Sequence, residues 1–293
     1  MRNKVILAVL AASAGWGLAG VGTRAAYGLG STTVTLLTIR TGVATLALAI
    51  AVIVMRIRPT PMAWAHGSFI GVLRIGITPL LFMSSLNYIS AGVEGLVITL
   101  VPATTAVFAA IFISETISRN QVIGLVIGLT GTTLIAVSGD SGLGAEGNVA
   151  LGFTLALGGV LVGSATGVMQ RHYAPRYDTM ELALPMFASG TVVAIVIAFL
   201  VGFDDFSTYS TELWILVVVL ALGATLVPFA LTLFASKHAQ ATVVAMVGYL
   251  APLVAVVAGV VILGEQITPV ILAGGALAVV GIALVGGTRR TQT

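Results

Sequence analysis

Cysteine is absent from the 293-residue chain, which excludes a disulfide framework, a thiolate metal site and a CxxC redox centre. Charge is nearly as scarce. Asp, Glu, Lys and Arg together make up 8% of the residues, against about a quarter in a soluble domain. Thirteen Lys+Arg and ten Asp+Glu cannot supply the charged skin that a water-soluble globule of this size needs. Histidine occurs only as His66, His172 and His238, each at the end of an apolar run. That leaves no clustered-His zinc site and no Ser–His pair at membrane depth for a protease. The only lysines, Lys4 and Lys237, also sit at run ends, so no mid-helix lysine offers a retinal Schiff base. No metal or cofactor is expected, and no enzymatic activity. A net charge of +3 without a basic stripe argues against a nucleic-acid partner. Apolar residues do not alternate, which argues against a β-barrel.

What the chain does hold is 58% hydrophobic residues and 35 glycines. So much apolar surface cannot stay in water, which rules out disorder. A spanning helix needs about 20 apolar residues. Polar breaks divide the chain into ten such stretches, near 4–27, 33–55, 66–88, 92–114, 120–138, 148–171, 179–201, 212–235, 240–263 and 268–287. The expected fold is an all-α integral membrane protein with short connections and no soluble domain, so the function must lie inside the membrane. The first run continues past a signal-like Ala12-Ser13-Ala14 to Tyr27 and reads as an uncleaved helix.

Positive charge orients the spans. With the N-terminus in the cytoplasm, Arg2, Lys4, Arg56, Arg58, Arg119, Arg171, Arg176, Lys237, Arg289 and Arg290 all fall inside and none falls in an outer loop. Asp140, Glu146, Asp204, Asp205, Glu212 and Glu265 face out. An even number of spans returns the C-terminus to the cytoplasm. The expected location is a bacterial inner membrane.

Sliding the chain against itself by about 150 residues reveals a repeat. Pro102 falls on Pro252, Glu115-Thr116-Ile117-Ser118 on Glu265-Gln266-Ile267-Thr268, Gly124 on Gly274 and Gly131 on Gly281. Arg24 aligns with Arg171 less securely. The expected organisation is one five-helix repeat over 1–140 and a second over 148–293, together forming one transport domain. Five is odd, so the two copies must be inverted, an arrangement that suits a carrier whose one site opens to either side in turn.

Those motifs, with Trp16-Gly17 in the first run, resemble the drug/metabolite transporter superfamily in its ten-helix branch of two EamA-type repeats. The resemblance covers essentially the whole chain. It implies export of small organic solutes from bacteria by alternating access, with neutral and aromatic amino acids the nearest substrate class. Sugar-nucleotide or phosphate exchange and multidrug efflux remain as alternatives. A channel is a further alternative, though it would need a charge ring or filter loop that is not seen. Small four-helix relatives couple to protons through a carboxylate in the first helix; here Trp16 stands at that depth, so facilitated export is the simpler expectation.

Four charges fall within spans, where each is costly and usually faces a cavity or a partner. Arg24 and Glu94 lie near outer ends, with Arg40 about 10–12 Å down and Arg74 close to mid-depth by helix rise. Glu94 can pair with Arg24 or Arg40 but is too far in depth from Arg74, which is left without an acidic partner. Arg74 therefore either meets a substrate carboxylate or is solvated by carbonyls and water. Arg24, Arg40 and Glu94 read as gating or packing groups. Pro79, Pro102, Pro228 and Pro252 break helices near mid-depth, two in each half, where freed carbonyls can bind a ligand. Trp16, Thr78, Phe82, Thr99, Thr225 and Tyr249 share that depth and complete the expected lining. Gly124-x-x-x-Gly128 and Gly163-x-x-x-Gly167 favour close helix packing. The expected partners are a small-molecule substrate and the bilayer, with the chain read as a monomer.

Overall fold

The computed structural model describes residues 2–114, 117–142, 148–238 and 241–286. All of their regular structure is helical, in ten spans and two short 3-10 turns, Ala174–Arg176 and Phe206–Thr208. Helix is the form an open chain can take in lipid, because each backbone N–H and C=O is then satisfied within its own segment. We number the spans α1 (Arg2–Gly28), α2 (Thr33–Val54), α3 (Pro61–Ser85), α4 (Ala91–Ile113), α5 (Arg119–Ser138), α6 (Val149–Tyr173), α7 (Thr179–Val201), α8 (211–238), α9 (Ala241–Leu263) and α10 (Pro269–Gly286).

Local chemistry sets the ends. Ser118 with Gln121 and Asp178 with Glu181 form capping boxes that start α5 and α7. Thr60 accepts a hydrogen bond from the Ala63 N–H, and Pro61 occupies the first turn where its missing N–H costs nothing. This cap moves the start of α3 five residues ahead of the expected 66. Gly139 ends α5 at φ +73°, a backbone conformation that other residues rarely adopt.

Two spans depart from plain helix in the same way. In α3 a π-helical turn, Val72–Ile77, precedes Pro79; in α8 one over Leu222–Leu226 precedes Pro228. Proline cannot donate to the ladder, and the extra residue of a π turn relieves the clash. Hydroxyls bond the carbonyls five residues back, Thr78 to Leu73 at 2.9 Å and Thr225 to Leu220 at 3.0 Å. Span α4 is interrupted between Ile98 and Val101, just before Pro102. Pro252 sits inside a helix that stays continuous.

The repeat is visible in the packing. Spans α5 and α10 meet backbone to backbone: a methyl group on Gly131 would stand 2.4 Å from the Gly274 carbonyl oxygen, and one on Gly281 would stand 2.5 Å from that of Gly124. Gly124 and Gly131 are the counterparts of Gly274 and Gly281, so the two contacts are images of each other and the helices run antiparallel. The same exchange relates α1 on α9 to α6 on α4, and α3 on α6 to α8 on α1. The two five-helix halves are thus inverted about an axis between them. Glu115 and Thr116, the first-half copy of the Glu265 motif, lie outside the described residues.

Candidate functional site

Between the halves lies a cavity of about 450 Å³ lined from α1, α2, α3, α4, α6, α7, α8 and α9. The volume falls in the range of about 300–1,000 Å³ typical of small-molecule sites. Of the residues expected at the site, Trp16, Arg74, Thr78, Phe82 and Thr225 line it, as do Pro79, Pro252, Arg40 and Glu94. Thr99 does not: it is buried at the break in α4, where its hydroxyl bonds the Leu96 carbonyl at 2.6 Å. Pro228 and Pro102 are turned to neighbouring helices instead. The Pro228 ring occupies the space beside Gly15, and the Pro102 ring lies 3.6 Å from where a methyl on Gly248 would be. The side chain of Tyr249 lies outside the described set.

Trp16 lines the cavity, is 39% exposed and makes no hydrogen bond to a described residue. The Phe82 ring lies flat against α6, close enough that a methyl on Gly159 would sit 2.8 Å from it. Arg74, in the π turn of α3, donates from Nη1 to the Gly163 carbonyl at 3.0 Å. That guanidinium also lies 3.3 Å from where a methyl on Gly167 would be. The Gly163-x-x-x-Gly167 pair therefore cradles an arginine. No fully buried side-chain nitrogen or oxygen among the described residues lacks a partner, so the remaining Arg74 nitrogens reach the cavity. Among the described residues Arg74 makes no ion pair.

The other charges are placed differently from expectation. Arg24 pairs neither with Glu94 nor into the cavity. Its Nε lies 3.7 Å from Glu265, and its Nη1 donates to the Leu86 and Ile89 carbonyls at 2.9 and 3.2 Å. Glu265 accepts from the Ala91 and Gly92 N–H groups at 2.7 and 2.9 Å. Arginine thus satisfies the end of α3 while glutamate caps the start of α4, and the turn between those helices is clamped. The anionic cap also suits the positive end of the helix dipole. Arg40 is buried and donates to Thr23 and Thr225, each at 3.0 Å, tying α2 to α1 and α8. Glu94 is closer in depth to Arg74 than expected. With α3 ending at Ser85, their backbones differ by about 12 Å at 1.5 Å rise per residue, and both line the one cavity.

At the same end, the loop after α7 is held to the start of α2. Asp204 accepts from the Thr32 N–H at 2.8 Å and hydroxyl at 2.7 Å, and from the Tyr209 hydroxyl. Burial disfavours the Asp204 carboxylate, but these bonds outweigh it and hold the carboxyl below its usual range. Burial, then the bond to Asp204, pushes the Tyr209 phenol up to about 12.

An inverted pair of five-helix halves around an apolar cavity with a few convergent polar groups defines a membrane carrier. The EamA-like transporter family matches this sequence twice, over residues 3–137 and 150–287, and the chain belongs to that family. It is 30% identical over 214 residues to the uncharacterized transporter YvbV of Bacillus subtilis, covering 71% of this chain and 67% of that protein. A probable terminal-alkyne amino-acid exporter of Streptantibioticus cattleyicolor is 26% identical over 208 residues, covering 70% of this chain and 66% of that protein. The matched stretches thus span about two thirds of these relatives. A solved crystal structure, described only as that of a protein, shares the fold at TM-score 0.66 and 22% identity, covering 97% of this chain and 96% of the other.

Proposed function

We propose that this EamA-family transporter exports small organic solutes bearing a carboxylate, neutral and aromatic amino acids foremost, by alternating access through the central cavity. The observation that carries the reading is Arg74: one nitrogen is anchored on Gly163, and the rest of the guanidinium, with no ion-pair partner among the described residues, opens into a largely apolar-walled space. A buried guanidinium binds a carboxylate strongly, and Trp16 and Phe82 offer ring surfaces to an apolar side chain. The amino-acid exporter among the relatives supports the same class. A phosphate exchanger would need two free basic groups, whereas the Arg40 nitrogens are engaged by Thr23 and Thr225. The reading places the chain in a bacterial inner membrane with both termini cytoplasmic. It is taken as a monomer, since the space beside Gly128, Gly131 and Gly163 is filled by contacts within the chain.

The test is uptake into proteoliposomes from a panel of neutral, aromatic, acidic and phosphorylated solutes, with and without a pH gradient. Arg74→Ala, reconstituted in equal amount, is expected to slow transport of the best substrate about 10- to 100-fold, the worth of one charged hydrogen bond. Full transport by that variant removes Arg74 from the site.

A further inference from the structure

Among the described residues the Glu94 carboxylate has no contact ion pair; Arg40 acts on it only through space. Glu94 is 5% exposed, one turn into α4. The two cations within reach by depth are both occupied elsewhere. Arg24 is held by Glu265 and the carbonyls ending α3, and Arg40 by Thr23 and Thr225, with the Met83 sulfur at 3.9 Å. The Glu94 carboxylate makes no ion pair and no hydrogen bond with any described residue. Because no fully buried oxygen among those residues lacks a partner, its unbonded oxygens must touch the cavity it lines. On the opposite side, α1 closes over it: a methyl on Gly20 would stand 2.7 Å from Oε2.

The charged and titratable groups around it come from every packed element: Arg24 and Tyr27 of α1, Arg40 of α2, Arg74 of α3 in the same cavity, and Glu265 after α9. None donates to Glu94. A carboxylate held at this depth without a donor in contact is expensive, even with Arg40 acting through space, so the group takes a cation from the cavity or a proton.

We infer that Glu94 is an ammonium-binding carboxylate of the transport cavity, and that a substrate ammonium and a proton compete for it. When an ammonium arrives, the carboxylic O–H breaks, the proton passes to cavity water, and the carboxylate accepts N–H bonds. When the ammonium leaves, the carboxylate takes a proton from water on the side then open. One proton is exchanged for one ammonium per cycle, which makes export proton-coupled. The inference extends the amino-acid reading and rests on it only for the carboxylate end. Glu94 and Arg74 stand about 12 Å apart in depth, so a small zwitterion meets them in turn.

The experiment measures binding to the purified full chain from about pH 5 to about pH 9, across the range where carboxyl groups titrate in water or when buried. The probes are phenethylamine, which has the ammonium alone, and L-phenylalanine. For wild type, phenethylamine affinity is expected to rise about tenfold per pH unit on the acid side of the Glu94 titration and then level off. Glu94→Gln, checked for monodispersity, should lose at least about tenfold in affinity and show no pH slope, while Glu94→Asp, which keeps a carboxylate, should restore the slope. A flat wild-type profile, a sloped Glu94→Gln profile, or no phenethylamine binding at any pH overturns the inference. Sloped phenethylamine binding without L-phenylalanine binding upholds Glu94 and refutes the amino-acid reading instead.

Discussion

Replacing Glu265 by alanine tests the clamp on the turn between α3 and α4. The glutamate is 9% exposed and carries three interactions: two N–H bonds from the first turn of α4 at 2.7 and 2.9 Å, and the Arg24 contact at 3.7 Å. A hydrogen bond to a charged group contributes about 1.5–3 kcal/mol, and removing one partner of a buried pair costs about 3–5 kcal/mol because the other is left unpaired. Arg24 keeps its carbonyl bonds, so the lower part of that range, about 3–4 kcal/mol, is the expected loss. At about 2–4 °C per kcal/mol this lowers Tm by about 6–16 °C. Glutamine keeps one acceptor oxygen and should lose about half as much. Thermal melts of the purified variants, followed by tryptophan fluorescence, measure this. The missing cysteines make a second assay direct. Ala258 is buried beneath the clamp with Val21, Leu86 and Ala91, and Ala258→Cys should react with a maleimide faster once Glu265 is alanine. A Glu265→Ala protein melting within about 2 °C of wild type, with Ala258→Cys still shielded, refutes the clamp.

Three further outcomes are expected. Gly131→Val places its Cβ 2.4 Å from the Gly274 carbonyl oxygen and should destabilise by about 1–3 kcal/mol; an unshifted melt would mean that α5 and α10 do not meet there. At the Asp204–Tyr209 bridge, a carboxyl pKa lowered by folding contributes stability above its unfolded value of about 4, and that contribution is lost as pH falls through the folded value. A raised phenol contributes fully below about 10, and the contribution is lost as pH climbs through about 12. Wild type should therefore lose stability at both extremes, and Tyr209→Phe should erase the alkaline limb and shrink the acid one; a variant retaining both limbs contradicts the bridge. For orientation, Ser207→Cys should be labelled by an impermeant maleimide in intact cells and Arg58→Cys only after lysis, and the reverse pattern inverts the topology.

The ten spans were legible because lipid demands long apolar helices and marks their ends with charge. The inverted repeat was legible because five is odd. Helix ends moved wherever a cap outweighed hydropathy, as Thr60-Pro61 did for α3. The π turns were not legible. Proline announces a broken ladder, but whether the helix kinks, stops or gains a residue depends on whether a hydroxyl can reach the freed carbonyl. Thr78 and Thr225 do so ahead of Pro79 and Pro228; at Pro102 the helix breaks instead, and at Pro252 it runs on.

The charge partners expose a more general limit. Hydropathy and helix rise give depth, which is one coordinate of three. Depth allowed Arg24 to pair with Glu94, and in depth the two are neighbours. The lateral order of the helices decides otherwise. Span α1 packs along α9, which brings the turn after α9, and with it Glu265, onto Arg24. Glu265 had read as one more acid on an outer loop, because nothing in its own segment records which helix it will lie beside. The signal available was the repeat itself. Glu265 occupies the same motif position as Glu115, and Arg24 aligns with Arg171, so the acid and the arginine that meet in the structure both stand at recurring positions. An acid that recurs at a repeat position next to a recurring arginine is better explained by a shared contact than by loop decoration. Once Glu265 claims Arg24, Glu94 is released to the cavity, and the question of what neutralises it becomes a question about the substrate.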